Sequence, residues 1–177
     1  MKKNNTILRV ENLKVYFYND YGQELKAVDD ISFQVKKGET LALVGESGCG
    51  KSVTSLALLR LIDSNGKIVD GKIFFNNCDL LSITEKQMQN IRGKDISMIF
   101  QEPSSALNPV YTIGDQIIEA IILHQKVFYR EARKRAIEMF KLVGIPDPEK
   151  RLRAQHGQEL HSRHQCHRPL SHLFSSV

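Results

Sequence analysis

A chain of 177 residues is long enough for one domain with a real core and too short for two comfortable ones. Apolar residues make up 41% and charged residues 25%, the profile of a soluble globular protein rather than a fibrous or membrane-spanning one. The net charge of +5 permits nucleic acid, anionic lipid or nucleotide as partners, but no lysine-arginine block is interleaved with aromatics, so a solvated charged surface reads better than a nucleic-acid groove.

The three cysteines, Cys49, Cys78 and Cys166, are odd in number and lack zinc-ligand spacing, which fits a reducing compartment better than a disulfide framework. The opening MKKNNTILRVENLKV has two lysines but no apolar stretch behind them long enough for a secretory signal. The most apolar windows, 53–62 and 117–123, fall well short of the ~20 residues that cross a bilayer. A cytoplasmic chain is expected, one that can still dock on a membrane protein.

In chain order, 7–17 alternates loosely through Val10, Leu13, Val15 and Phe17, and 30–35 alternates cleanly through Ile31, Phe33 and Val35; both read as strands. The run TLALV (40–44) has the continuous apolar character of a buried parallel strand. A helix is predicted over 52–62, with Leu56, Leu59 and Ile62 near one face. A further strand pair is predicted at 66–68 and 71–75. Thr84 and Gln87 form a capping-box pattern at the head of 84–92. The run DISMIF (95–100) is another candidate buried strand. Two amphipathic helices follow, one over 112–124 with Ile113, Ile117 and Ile121 on a stripe, the other over 130–144 with Ala132, Ala136, Met139, Phe140 and Val143; Gly144 and Pro146 are its stop signals. Residues 155–177 break the pattern. Five of the six histidines lie there (His156, His161, His164, His167 and His172), and no apolar period survives.

The segment GESGCGKS (45–52) joins an apolar run to a helix. Its spacing, GxxxxGK[ST], is met by Gly45, Gly50, Lys51 and Ser52. Phosphate oxygens need several donors at short range. Successive backbone amides of a tight loop supply them, and the following helix N-terminus adds its partial positive charge. Gly48 and Gly50 relax the steric limits on the loop. Lys51 is placed to reach the β- and γ-phosphates, and Ser52 to put its hydroxyl on Mg²⁺. Glu46, Ser47, Cys49 and Val53 complete the nucleotide-binding set. Cys49 has two readings: a thiol open to blocking or oxidation beside the nucleotide, or a small tolerated residue.

The motif leaves kinases, GTPases and transport ATPases open; the wider sequence narrows the field. Ala27-Val28 follows Phe17 at ten residues, then come DDISFQVKKGETLALVGESGCGKSVTSLALLRL, IRGKDISMIFQEPSSALNPVYTIGDQIIEA and LVGIPDPEKRLR. These segments resemble the ATP-binding subunits of ABC transporters, in the oligopeptide/dipeptide importer branch. The resemblance runs from Thr6 to Ala154, about half of a usual family member. It implies an α/β fold: the N-terminal part of a P-loop NTPase nucleotide-binding domain, with an antiparallel β subdomain, a partial RecA-like core and a helical subdomain. On that basis 6–154 is a partial ABC-type ATP-binding domain and 155–177 a non-matching, disordered tail. It also implies that Phe17 stacks on adenine, although a strand-end core aromatic is the plainer reading. Gln101 would approach Mg²⁺ and the attacking water, and the helices over 112–144 would receive the membrane permease subunits. ATP and Mg²⁺ are the implied ligands, a second ATP-binding subunit a further partner, and the cytoplasmic face of the cell membrane the implied location.

The resemblance stops after Arg153-Ala154. The family's leucine-serine-glycine-glycine signature, its apolar strand ending in Asp-Glu and its switch histidine do not follow within these residues. Glu159-Leu160 stands where a relic of the signature approach would lie. Phosphoryl transfer needs the metal held by a carboxylate and a group that orients water, so the chain is expected to bind ATP without hydrolysing it alone. TLALV is expected to lack strand neighbours and to expose apolar surface. The tail has three readings: out-of-frame coding, a solvated tail, or a metal site built from His161, His164, Cys166 and His167. For the chain as a whole the alternatives are a non-catalytic protein competing for the transporter's docking surface, or a decayed gene product.

Overall fold

The computed structural model describes residues 5–101 and 107–155, and the chain divides into two compact units, one ending at Arg92 and the other beginning at Gly93. In the first unit β1 (Thr6–Tyr18), β2 (Glu24–Lys36), β3 (Gly66–Phe75) and the short β4 (Cys78–Asp79) form an antiparallel sheet in the order β2-β1-β3-β4. The helices of this unit are α1 (Lys51–Leu58) and α2 (Glu85–Ile91). The central strand sets the register: Val10 lies between Phe33 and Ile73, and Val15 between Val28 and Ile68. Val10, Leu13, Val15, Val28 and Ile73 are buried, and α1 packs against β1 and β2.

Residues 66–75 make one strand, not the predicted pair. What looked like a break is a crossing point. β1 carries a bulge in which Asn12 takes a left-handed conformation (φ 48°), and its register against β3 shifts between Glu11 and Lys14. A side chain on Gly71 (φ 104°) would meet Leu13 Cα at 2.6 Å and the carbonyl oxygens of Asn12 and Glu11 at 2.7 and 2.8 Å. Only glycine lets β3 pass this bulge. On the other side the Asn12 amide donates to Ser32 Oγ (2.8 Å) and its side chain to Asp30 Oδ1 (2.9 Å), tying the bulge to β2.

The predicted helix over 52–62 ends earlier, at Leu58. Leu61 N–H donates to Leu56 C=O and Arg60 N–H to Ala57 C=O (2.9 and 3.0 Å), the paired closure of a Schellman turn. Arg60 holds the left-handed position that glycine usually takes (φ 53°). Its guanidinium donates to the carbonyls of Ile83 (2.9 Å) and Leu80 (3.3 Å). Arg92 reaches back from the end of α2 and donates to the Leu59 and Arg60 carbonyls (2.7 and 3.3 Å). Glu85 pairs with both arginines, and the Arg92 hydrogen bond, helped by the charges of both, lowers its carboxyl pKa. At the head of α2 the Thr84–Gln87 capping box is present in both directions.

The two apolar runs read as buried strands are not strands. Residues 40–44 carry no strand pairing among the described residues, and Leu41, Leu43 and Val44 are exposed, Val44 at 91%. Residues 97–100 are likewise irregular, with Ile99 and Phe100 exposed. A sequence made for the middle of a parallel sheet needs a hydrogen-bonded neighbour on each edge and a layer on each face. Here neither is found among the described residues, so β-propensity alone does not make the strand. The expected exposure of apolar surface is therefore present.

In the second unit α3 (Ile113–Gln125) and α4 (Tyr129–Leu142) pack as a pair, followed by the single turn α5 (Pro148–Arg151). Ile118, Ile121, Ala132, Ala136, Phe140 and Leu152 form the core, with Ile113, Ile117, Met139 and Val143 against it. The buried face of α3 runs through Gly114, Ile118 and Ile121, turned by one residue from the predicted stripe. The turn comes from the chain after α5. Ile113 and Gly114, whose amides lack intrahelical partners, donate to the carbonyls of Ala154 (3.0 Å) and Leu152 (2.9 Å). A Cβ on Gly114 would stand 2.3 Å from the Leu152 oxygen. Thr112 caps the same helix by accepting from the Asp115 amide (3.1 Å), and α4 closes on Gly144 at the predicted stop. No helix among the described residues is long and apolar enough to cross a membrane.

Three outcomes follow. Arg92→Ala removes charged hydrogen bonds to two carbonyls and should lower the unfolding free energy by about 1.5–3 kcal/mol in urea titration, while Arg92→Lys, without a planar fork, should recover less than half. Replacing Leu43 and Val44 by threonine should reduce binding of a hydrophobic dye and slow aggregation with the circular dichroism unchanged. The third concerns Tyr16, whose hydroxyl donates to Asp29 Oδ1 at 2.7 Å. That hydrogen bond is the main cause lifting the tyrosine pKa from 10.0 to about 12, and the same bond, with Lys26 nearby, lowers that of Asp29. The tyrosine's contribution to stability is thus complete below pH 10 and lost as pH rises through about 12; that of Asp29 is complete above the ordinary carboxylate range and lost as pH falls through its depressed value. Ultraviolet titration should find one late tyrosine, and Tyr16→Phe should abolish that step alone.

Candidate phosphate-binding loop

Residues 45–49 form an exposed turn that leads through the buried Gly50 into α1 at Lys51. Its shape is set by two left-handed glycines, Gly48 (φ 84°) and Gly50 (φ 88°). They differ in what surrounds them. A side chain at Gly48 would point into open space, so only its backbone conformation asks for glycine. At Gly50 a Cβ would stand 2.2 Å from the Ala27 carbonyl oxygen and 3.2 Å from Val28, so the loop's last residue is pressed against β2. That contact fixes where α1 begins. Gly45 is confined differently: its Cβ would meet Cys49 Sγ at 2.5 Å.

Inside the loop the Cys49 amide donates to the Glu46 carbonyl (3.3 Å). Behind it, the buried Thr54 donates to the Gly50 carbonyl from both its amide (2.8 Å) and its hydroxyl (2.9 Å). This double contact locks the first turn of α1. The first-turn amides of Lys51, Ser52 and Val53 have no carbonyl four residues back within the helix. Gly50 offers no side-chain cap, and no acidic residue stands in the first turn. Nothing in the chain's own first turn neutralises the positive end of the helix dipole. Lys51 folds over the loop, its Nζ donating to the carbonyls of Glu46 (2.6 Å) and Gly45 (2.8 Å), with Cys49 Sγ at 3.3 Å. The Ser52 residue is exposed beside it. A flexible ammonium, a hydroxyl and first-turn amides without intrahelical partners at one helix end suit a multiply charged oxyanion, and the hydroxyl beside them suits the hard cation that accompanies a polyphosphate.

The remaining predicted residues lie elsewhere. Phe17 is half-buried near the end of β1, between Leu25 and Gly66 in register. Its ring lies over Gly66, where a Cβ would come within 2.7 Å of it. Gln101 is an exposed bend residue of the second unit. Glu159, Leu160 and the histidine–cysteine cluster of the tail lie outside the described residues. Sequence reasoning missed Ala27, Val28 and Thr54 as the loop's supports, and Arg60 and Arg92 as the lock at the far end of its helix. No spacing rule signals them, because each acts through a backbone carbonyl or a close approach rather than through a motif.

Comparison with known proteins agrees with this architecture. The ABC transporter family profile matches residues 28–166. The chain is 51% identical over 148 residues to the dipeptide transport ATP-binding protein DppD of Bacillus subtilis, a match covering 83% of this chain and 44% of that protein. It is 49% identical over 147 residues to the oligopeptide transport ATP-binding protein OppD of the same organism, covering 82% and 41%, and 49% identical over 146 residues to DppD of Escherichia coli, covering 82% and 44%. The chain thus spans under half the length of these relatives. Among solved structures, a dimeric ATP-binding cassette in a post-hydrolysis state bound to ADP and Pi superposes with a TM-score of 0.69 at 21% identity, covering 84% of this chain and 61% of that one. A nucleotide-free cassette from an ABC transporter gives 0.55 at 20% identity, covering 86% and 58%. The fold is therefore that of part of an ABC ATPase cassette, and the chain belongs to the ABC transporter family.

Proposed function

We propose that Gly45–Val53 binds MgATP and that the chain acts as the ATP-binding part of an importer for dipeptides or oligopeptides, docking on membrane permease subunits at the cytoplasmic face of the cell membrane. The observation that carries the reading is the loop itself: two left-handed glycines turn it into a helix whose first amides are uncapped, with Lys51 bent over it. The likeness to dipeptide transport ATP-binding proteins supports the solute class, and docking on permease subunits is part of the same reading. A nucleotide-bound cassette of the same fold, described as dimeric, supports ATP as the ligand and a second ATP-binding subunit as a partner.

In this reading the amides of Gly48 to Val53 take the phosphate oxygens, and Lys51 exchanges its two carbonyls for the β- and γ-phosphates. Ser52 would hold Mg²⁺. Bound Mg²⁺ supplies charge neutralisation on the phosphates. Phe17 would stack on the adenine. The α3–α4 pair would receive the permease. Binding and turnover are separable. Within these 177 residues no aliphatic run ending in an acidic pair follows Gln101, so the chain offers no carboxylate of that kind to the metal.

The test is titration of purified chain with a fluorescent ATP analogue and Mg²⁺. Lys51→Ala should weaken affinity by roughly 10- to 100-fold, the loss of one charge-assisted contact. Phosphate release by the unaltered chain should stay at the level of that variant. Retention of no adenine nucleotide at millimolar concentration would end the reading, and turnover well above the variant would end its non-catalytic half.

A further inference from the structure

In the first unit Arg9, Lys14, Lys26, Arg60 and Arg92 each meet a carboxylate, whereas Lys36, Lys37, Lys67, Lys72 and Lys86 form no ion pair among the described residues. On α4 such cations are gathered into one row. Arg130, Arg133, Lys134 and Lys141 follow the three- and four-residue spacing that places them on one stripe with Ile137 between them. None of the four meets a carboxylate among the described residues; Arg135, off the stripe, is the α4 cation paired with Glu131 (3.1 Å). The charge is not used within the second unit, whose apolar core is reached by α4 through Ala132, Ala136 and Phe140, with Ile137 partly buried against it at the edge of the cation row.

At the head of the stripe stand two aromatics turned to water. Phe128, the residue before α4, is 90% exposed, and Tyr129 is 57% exposed. Phe128 and Ile137 help to line a shallow concavity of about 520 Å³ whose other walls are Arg130, Glu131, Arg133 and Lys134. Exposed aromatics at the head of a row of unpaired cations suit a helix that lies on an anionic bilayer surface, cations on the headgroup phosphates and an aromatic ring at the acyl boundary. An acidic polypeptide would satisfy the cations equally well, but would have no comparable use for a ring as exposed as Phe128 at the edge of the row.

We propose that the outer face of α4 binds anionic phospholipid, with Arg130, Arg133, Lys134 and Lys141 contacting headgroup phosphates and Phe128 entering the interface. The surface shares no residue with the phosphate-binding loop and needs no nucleotide, so loss of vesicle binding and loss of nucleotide binding are distinguishable outcomes.

The experiment is co-sedimentation of the full chain with vesicles of phosphatidylcholine containing 30% phosphatidylglycerol, against phosphatidylcholine alone, at low and high salt. The expected result is binding to the anionic vesicles that salt removes. Each cation neutralised should weaken it about fivefold, so Arg130→Gln with Lys134→Gln should cost roughly 25-fold. Phe128→Ser should weaken binding without changing its salt dependence. All three substitutions fall on exposed positions, and circular dichroism verifies the fold. Equal binding to neutral vesicles would overturn the proposal, since the exposed apolar segment at Leu41–Val44 would explain it. So would anionic binding that the charge variants leave unchanged. Polyglutamate serves as the competing probe: capture of polyglutamate but not of vesicles, lost in the same variants, would assign the face to an acidic polypeptide instead.

Discussion

The close approach of Gly50 to the Ala27 carbonyl is the contact on which the first unit's functional geometry depends. It joins a loop with almost no buried surface to a sheet that has a core. Without it, the turn from 45 to 50 would hang from an irregular apolar segment on one side and an eight-residue helix on the other, and a helix that short is marginal alone. The approach is possible because Gly50 combines a left-handed φ with the absence of a Cβ, and either requirement alone would exclude most residues. Thr54 then fastens the same carbonyl end from inside the helix.

The far end of α1 is fixed by a different means. Arg60 and Arg92 place two guanidinium groups on carbonyls at the helix end and in the 80–83 turn, with Glu85 between them. The helix is therefore held at its positive end by a backbone contact and at its negative end by cations. That polarity suits its dipole at the C-terminus and leaves the N-terminus uncompensated. An uncompensated N-terminus is a local electrostatic asymmetry, and it is the feature of the loop that suits an anion.

Much of this was legible. The antiparallel strands, the Thr84 capping box, the α3–α4 pair and the loop's glycines all follow from local patterns, because in each case the residue that signals the element also stabilises it. The misses have a common cause. TLALV and DISMIF carry the composition of central strands, but a strand is completed by its neighbours, and composition says nothing about whether those neighbours are there. The Gly71 break was misread because a glycine in a strand can mean a turn or a crossing, and the bulge that decides between them, at Asn12, lies some sixty residues away. The displaced face of α3 likewise reflects the carbonyls of Leu152 and Ala154, which a helical stripe cannot register.

The ends of α1 and α4 show how far such reading can go. Both helices close with the same pair of hydrogen bonds, the fifth residue back and the third. At α4 the left-handed position is Gly144, with Pro146 two residues on, and the stop is plain in the sequence. At α1 it is Arg60, which ranks among the better helix formers, and the sequence reads on to Ile62. A left-handed arginine costs about 1–2 kcal/mol. Its guanidinium recovers this through hydrogen bonds to two carbonyls, each worth about 1.5–3 kcal/mol when one partner is charged. Glycine there would remove the strain and also the bridge to the turn beneath α2. The arginine is favoured because the helix end must be joined to something, and at α4, where Ile145 already carries the chain back to the core, no such link is required.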